Sequence, residues 1–156
     1  MKIGFTIGKF APLHKGHQYL IEKGIEEMDE FYVIVYETNV IDIPVEKRAK
    51  WIQQIYPKVH ILLAKNPPSQ YGVDEESIKI QMDYLKKIIK DIPVTHFYNS
   101  EPYGKFVARD LNIQEVQVDR TREKYAISGT KIRKNVKENK HYVEDIVYKE
   151  INNKKR

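Results

Sequence analysis

The sequence predicts an α/β fold, a parallel five-stranded sheet with helices on both faces. Three observations carry that reading. Apolar runs of strand length alternate with segments whose apolar residues recur at helical spacing. The second run, residues 31–36, is apolar or aromatic throughout, as a strand buried on both sides must be. Such alternation implies right-handed crossovers, which make the strands parallel and send the helices to the two faces.

Each element has its own signal. Residues 2–8 alternate as a first strand, and residues 16–28 place Leu20, Ile21, Gly24, Ile25 and Met28 on one helical face. After the strand at 31–36, residues 45–56 read as a helix that ends before Pro57, and residues 59–64 as a third strand. Residues 66–72 hold two prolines and a glycine and can continue neither element, so they form a loop. A helix over 75–90 carries Ile78, Met82, Leu85, Ile88 and Ile89, followed by a fourth strand at 95–98, a short helix at 103–111 and a fifth strand at 116–118. From about residue 128 the chain is mostly helical and basic. The 156 residues fit one domain, spanning 1–156, without internal repeat or linker.

Composition narrows the function classes. With 41% hydrophobic and 31% charged residues the chain is neither disordered nor apolar enough for a membrane, since no run approaches the roughly 20 residues of a span. The first residues enter a strand pattern with no charged-then-apolar leader, which points to the cytoplasm. The absence of cysteine excludes disulfides, thiol nucleophiles and thiolate metal sites. A net charge of +5 is concentrated toward the carboxyl terminus and suits anionic metabolites, nucleic acid or a solvated helix face.

In a parallel sheet ligands bind beyond the carboxyl ends of the strands, which directs attention to the loops there. The first, Gly8-Lys9-Phe10-Ala11-Pro12-Leu13-His14-Lys15-Gly16-His17, sets two imidazoles three positions apart where the first strand turns into a helix. Free N–H groups at the helix start favour an anion there, and Gly16 would let a phosphate approach the backbone. Metal ligation, plain surface exposure and helix capping by His17 are the competing readings. A second segment, Ile127-Ser128-Gly129-Thr130-Lys131-Ile132-Arg133, follows the fifth strand and opens another helix with Ser128 as N-cap. Its hydroxyls and the guanidinium fork of Arg133 suit a triphosphate.

Together the two segments resemble the paired signatures of the nucleotidylyltransferase superfamily. The first loop, Tyr98-Asn99-Ser100-Glu101 and Val118-Asp119-Arg120-Thr121-Arg122 are similar to the nicotinamide mononucleotide adenylyltransferase domain of NadR-type bacterial proteins. The resemblance implies a Rossmann-like nucleotidylyltransferase fold, ATP as substrate, Mg²⁺ held mainly by substrate phosphates with no protein metal ligand, and transfer of AMP to a mononucleotide phosphate with release of pyrophosphate. It implies ATP contacts at Gly8, Lys9, Phe10, His14, Gly16, His17, Ser128, Thr130 and Arg133. Of these, His17 is expected at the α-phosphate, His14 at the triphosphate, and Arg133 with Thr130 at the β- and γ-phosphates. Acceptor contacts are expected from Lys9, Arg48, Tyr71, Ser100, Glu101, Tyr103, Asp119 and Arg122, with Asp119 and Arg122 alternatively pairing with each other. Tyr71 would supply the aromatic face that is often Trp in the family, since Trp51 lies on the preceding helix.

Two alternatives stay open. Pantetheine-phosphate adenylyltransferases are of similar length but typically have Thr in place of His14 and no counterpart of Arg133, whereas cytidylyltransferases match residues 124–130 poorly. A non-catalytic nucleotide sensor or nucleic-acid-binding regulator would use the basic tail, although no helix-turn-helix or zinc-finger pattern occurs. A homo-oligomer is compatible with the sequence.

Overall fold

The computed structural model describes residues 1–69, 72–102, 104–119 and 124–154. Its strands are β1 (Ile3–Gly8), β2 (Glu30–Tyr36), β3 (His60–Ala64), β4 (His96–Asn99) and β5 (Gln114–Gln117). All pair in parallel in the order β3-β2-β1-β4-β5, so β1 is central and the chain reverses direction across the sheet beside it. The helices are α1 (Lys15–Glu27), α2 (Val45–Ile55), α3 (Glu75–Ile88), α4 (Gly104–Leu111), α5 (Gly129–Lys134) and α6 (Asp145–Lys154), with a 3-10 turn over Lys140–Tyr142.

The expected two-faced packing is present. Along β2, Val33 and Val35 enter a core with residues of α1, α2, α5 and α6, while Ile34 enters a second core with residues of α3 and α4. That split is the period of two expected of a strand covered on both sides. Close packing of α1 requires Gly24, where an added Cβ would lie 2.2 Å from the Phe31 ring. Asp74 caps α3 by accepting from Ser77 N at 3.1 Å, and the helix places Glu75 and Glu76 first and Lys86 and Lys87 last, as its dipole favours.

The sequence boundaries shift in two informative places. β5 begins at Gln114 rather than at residue 116, because its pairing with β4 runs through the polar residues Gln114 and Glu115 at the sheet edge. The helical tail is broken into α5, the 3-10 turn and α6. Glu144, just before α6, holds Lys15 at 2.8 Å and Gln18 at 3.1 Å, and Glu150 holds Lys47 at 3.0 Å, fastening the tail to α1 and α2. Among the described residues no helix is long and apolar enough to cross a membrane.

Candidate active site

The turn between β1 and α1 is organised by its two histidines. His14 is the N-cap of α1, in extended conformation, and its Nδ1 accepts from Gly16 N at 3.1 Å and His17 N at 3.3 Å. His17 Nδ1 reciprocates by accepting from His14 N at 3.2 Å, so two imidazoles form a capping box. Their rings stack with centroids 3.7 Å apart. Because each Nδ1 is an acceptor, the proton of each neutral ring lies on Nε2.

Of the competing readings capping is present, but the capping residue is His14, with His17 as its partner. The N–H groups of Gly16 and His17, expected to meet a phosphate directly, are spent on the His14 ring. Gly16 also serves that ring first, since an added Cβ would lie 2.9 Å from His14 Cε1. Phe10, with φ of 49°, is buried and packs edge-on against His17 at 4.8 Å, and its ring also lies over Gly8.

The second segment meets the first. Ser128 caps α5 as expected, accepting from Lys131 N at 3.2 Å. Arg133 Nη1 donates to the carbonyl of Ala11 at 2.5 Å, across 122 positions of sequence, and Nη2 donates to Thr130 Oγ1 at 3.2 Å. A Cβ at Gly129 would stand 3.0 Å from both the Ala11 oxygen and Arg133 Nη1, so a glycine lets α5 approach the turn.

A cavity of about 740 Å³ opens over the carboxyl edge of the sheet. It is lined by all nine residues expected at ATP, namely Gly8, Lys9, Phe10, His14, Gly16, His17, Ser128, Thr130 and Arg133, and also by Ser100, Glu101 and Asp119. Its apolar wall comes from Ile78, Met82 and Leu85 of α3 and Phe106 and Val107 of α4. Asp119 accepts from Lys124 N at 2.9 Å and Tyr125 N at 3.0 Å and so fixes the approach to Ile127. Its expected partner Arg122 lies outside the described residues, as do Tyr71 and Tyr103. Among the described residues no three His, Asp or Glu side chains are grouped to hold a metal ion.

Arg48 departs from expectation. It is fully buried and absent from the cavity wall, and its guanidinium donates to the carbonyls of Ile43 at 3.0 Å, Tyr36 at 3.1 Å and Lys9. Burial holds its pKa below the usual guanidinium value, while Glu37 and Glu46 pull the other way. Its position in the buried stripe Val45, Arg48, Ala49, Ile52 was a signal that the side chain turns inward. Trp51 is likewise in the core. The cavity wall also includes Asn99, which the expected site residues omit. Its Oδ1 accepts from Glu101 N at 3.0 Å, its Nδ2 reaches Glu115 at 3.3 Å, and Gly104 packs so closely on it that a Cβ there would lie 2.1 Å from Oδ1.

The profile of the family described as cytidylyltransferase-like matches residues 5–135. The trifunctional NAD biosynthesis/regulator protein NadR of Escherichia coli is 28% identical over 151 residues, which cover 85% of this chain and 36% of that protein. The chain thus spans about a third of the length of its curated relatives. A crystal structure of a NadR protein in complex with NAD and AMP-PNP superposes with a TM-score of 0.61 at 25% identity, covering 90% of this chain and 44% of that one. A bifunctional NMN adenylyltransferase/ADP ribose pyrophosphatase from Francisella tularensis, complexed with AMP and a manganese ion, has a TM-score of 0.64 at 18% identity over 91% of this chain and 44% of its own, and shares the fold.

Proposed function

The chain belongs to the cytidylyltransferase-like family of nucleotidyltransferases, and we propose that it transfers AMP from ATP to the phosphate of nicotinamide mononucleotide, giving NAD and pyrophosphate. The observation that carries this reading is the meeting of His14 and His17 with Thr130 and Arg133 at one cavity through the Ala11 carbonyl. The likeness to NadR supports the choice of acceptor.

The chemistry asks little covalent help of the protein. An oxygen of the mononucleotide phosphate attacks the α-phosphorus of ATP, the bond from that phosphorus to the bridging oxygen breaks, and pyrophosphate leaves with the electron pair. The attacking oxygen is already anionic, so the rate depends on alignment and charge stabilisation. Nε2–H of His17 donates to the α-phosphate, where charge shifts during attack, and His14 donates to the triphosphate entering the same turn. Arg133 and Thr130 hold the departing pyrophosphate, and Ser128 keeps α5 in place. Lys9, exposed at the cavity, neutralises the acceptor phosphate, and Ser100 and Glu101 face the rest of the acceptor. A divalent cation entering with the substrate phosphates would supply further charge neutralisation.

Phosphopantetheine has one observation in its favour as an alternative acceptor, the apolar wall formed by α3 and α4. A substrate panel separates the readings. With Mg-ATP and, separately, nicotinamide mononucleotide, nicotinate mononucleotide, phosphopantetheine, flavin mononucleotide and glycerol phosphate, mass analysis should find NAD formed fastest. Faster consumption of phosphopantetheine overturns the proposed acceptor.

A further inference from the structure

The turn that carries Phe10 is gripped from two sides. Arg133, in the cavity wall, takes the carbonyl of Ala11, and Arg48, sealed beneath, takes the carbonyl of Lys9. Between them Phe10 sits at φ of 49°, a conformation that a non-glycine residue keeps only where its surroundings hold it. The Phe10 ring in turn bears on His17. The other two carbonyls bound by Arg48, those of Tyr36 and Ile43, bracket the loop whose Val40 also lines the cavity. A buried guanidinium is costly to desolvate and is retained where its fork joins several acceptors at once. Here the three acceptors tie together two segments of the chain, the Lys9–Phe10 turn and the loop between Tyr36 and Ile43, both of which contribute to the cavity wall, while Nη2 is buried without a partner among the described residues.

We infer that Arg48 is a positioning residue for this site, holding the Lys9–Phe10 turn and through it the His17 ring, without touching the acceptor phosphate. The inference rests on the reaction proposed above. A lysine at this position has one compact ammonium and cannot span these three carbonyls as the fork does. Misplacing a reacting contact by about an ångström lowers turnover on the order of a hundredfold, so Arg48→Lys should lower kcat by about ten- to a hundredfold. The KM for nicotinamide mononucleotide should change less than about threefold, because Arg48 does not touch the acceptor phosphate.

The test pairs steady-state kinetics of Arg48→Lys with NMR of the wild-type protein labelled at its arginines. On saturation with nicotinamide mononucleotide or inorganic phosphate the Arg48 Nε–H signal should stay in place, whereas on addition of ATP the Arg133 signal should move. Wild-type kinetics in Arg48→Lys overturn the inference. So does a raised KM with kcat retained, or a mononucleotide-dependent shift of the Arg48 signal, either of which makes Arg48 a direct phosphate ligand. If the variant does not fold, the wild-type spectra decide. If the wild type consumes no mononucleotide, the proposed reaction has failed instead. Arg48 is then judged by its unshifted signal and by calorimetric ATP affinity, which Arg48→Lys should weaken several-fold; an unchanged affinity overturns the inference.

Discussion

Replacing His14 by alanine and by asparagine separates its capping of α1 from its proposed presentation of an imidazole to the triphosphate. The ring accepts from two backbone N–H groups, is 3% exposed and stacks on His17. Loss of an N-cap costs about 0.5–2 kcal/mol and loss of a ring pair about 0.5–1.5 kcal/mol, together about 1–3.5 kcal/mol. At roughly 2–4 °C per kcal/mol for a chain of this size, His14→Ala should lower Tm by about 2–14 °C. Asparagine is among the best N-caps, so His14→Asn should recover most of the capping share and remain about 1–6 °C below wild type. Neither variant supplies an Nε2–H, and both should lose about a hundredfold in kcat for NAD formation. Thermal melts and pyrophosphate release at saturating ATP read the two effects independently. Recovery of both Tm and kcat in His14→Asn would refute the catalytic share, and an unchanged Tm in His14→Ala would refute the capping share.

Other consequences follow from the same contacts. Arg133→Ala should weaken ATP binding by tenfold or more, the value of one charge-assisted phosphate contact of about 1.5–3 kcal/mol, while sparing AMP; calorimetry showing equal losses would move Arg133 away from the pyrophosphate end. Gly24→Ala should destabilise the protein by about 1–3 kcal/mol, since its Cβ would meet the buried Phe31 ring at 2.2 Å, and an unchanged denaturation midpoint would contradict the packing. The hydrogen bonds from Lys15 and Gln18 hold the Glu144 carboxyl below its ordinary pKa, so its contribution is present above the usual carboxyl range and is lost as the pH falls through the lowered value. With both side chains of the Lys15–Glu144 pair about a third exposed, that contribution is below about 1 kcal/mol. Glu144→Gln should therefore melt slightly below wild type at neutral pH, with the difference closing in acid.

Periodicity made the fold legible because both of its cores are built from regular stripes. The full apolar run of β2 announced a strand covered on two faces, and the alternating elements announced a parallel sheet. The two loop segments at the cavity were legible for a different reason: their glycines, hydroxyls and cations are rare together at strand-to-helix turns. What stayed hidden was side-chain direction. Arg48 looks like a surface cation in composition, and only its place between Val45 and Ile52 on the buried stripe shows that it turns inward. Asn99 ends a strand, where a polar residue looks like the start of a turn. Its work depends on Glu115 and Gly104, which only the tertiary fold brings beside it.

The paired histidines explain how an anion can be met at a helix start whose N–H groups are already occupied. An uncapped helix would offer the N–H groups of Gly16 and His17 to a phosphate, but both donate to His14 Nδ1. An imidazole that accepts at one nitrogen donates at the other, so the donor capacity of the helix start is relayed through the ring. His17 repeats the relay from His14 N. Each accepted bond also polarises the ring toward stronger donation at Nε2. The relay reaches farther from the backbone than an N–H group does, and the 3.7 Å stack fixes the direction of both rings relative to the turn. Donors set in place by the fold before charge develops need no reorganisation at the moment of transfer, which is the condition under which they lower a barrier rather than merely tighten binding. A residue able to cap but not to relay, such as asparagine at position 14, keeps the helix and gives up that advantage.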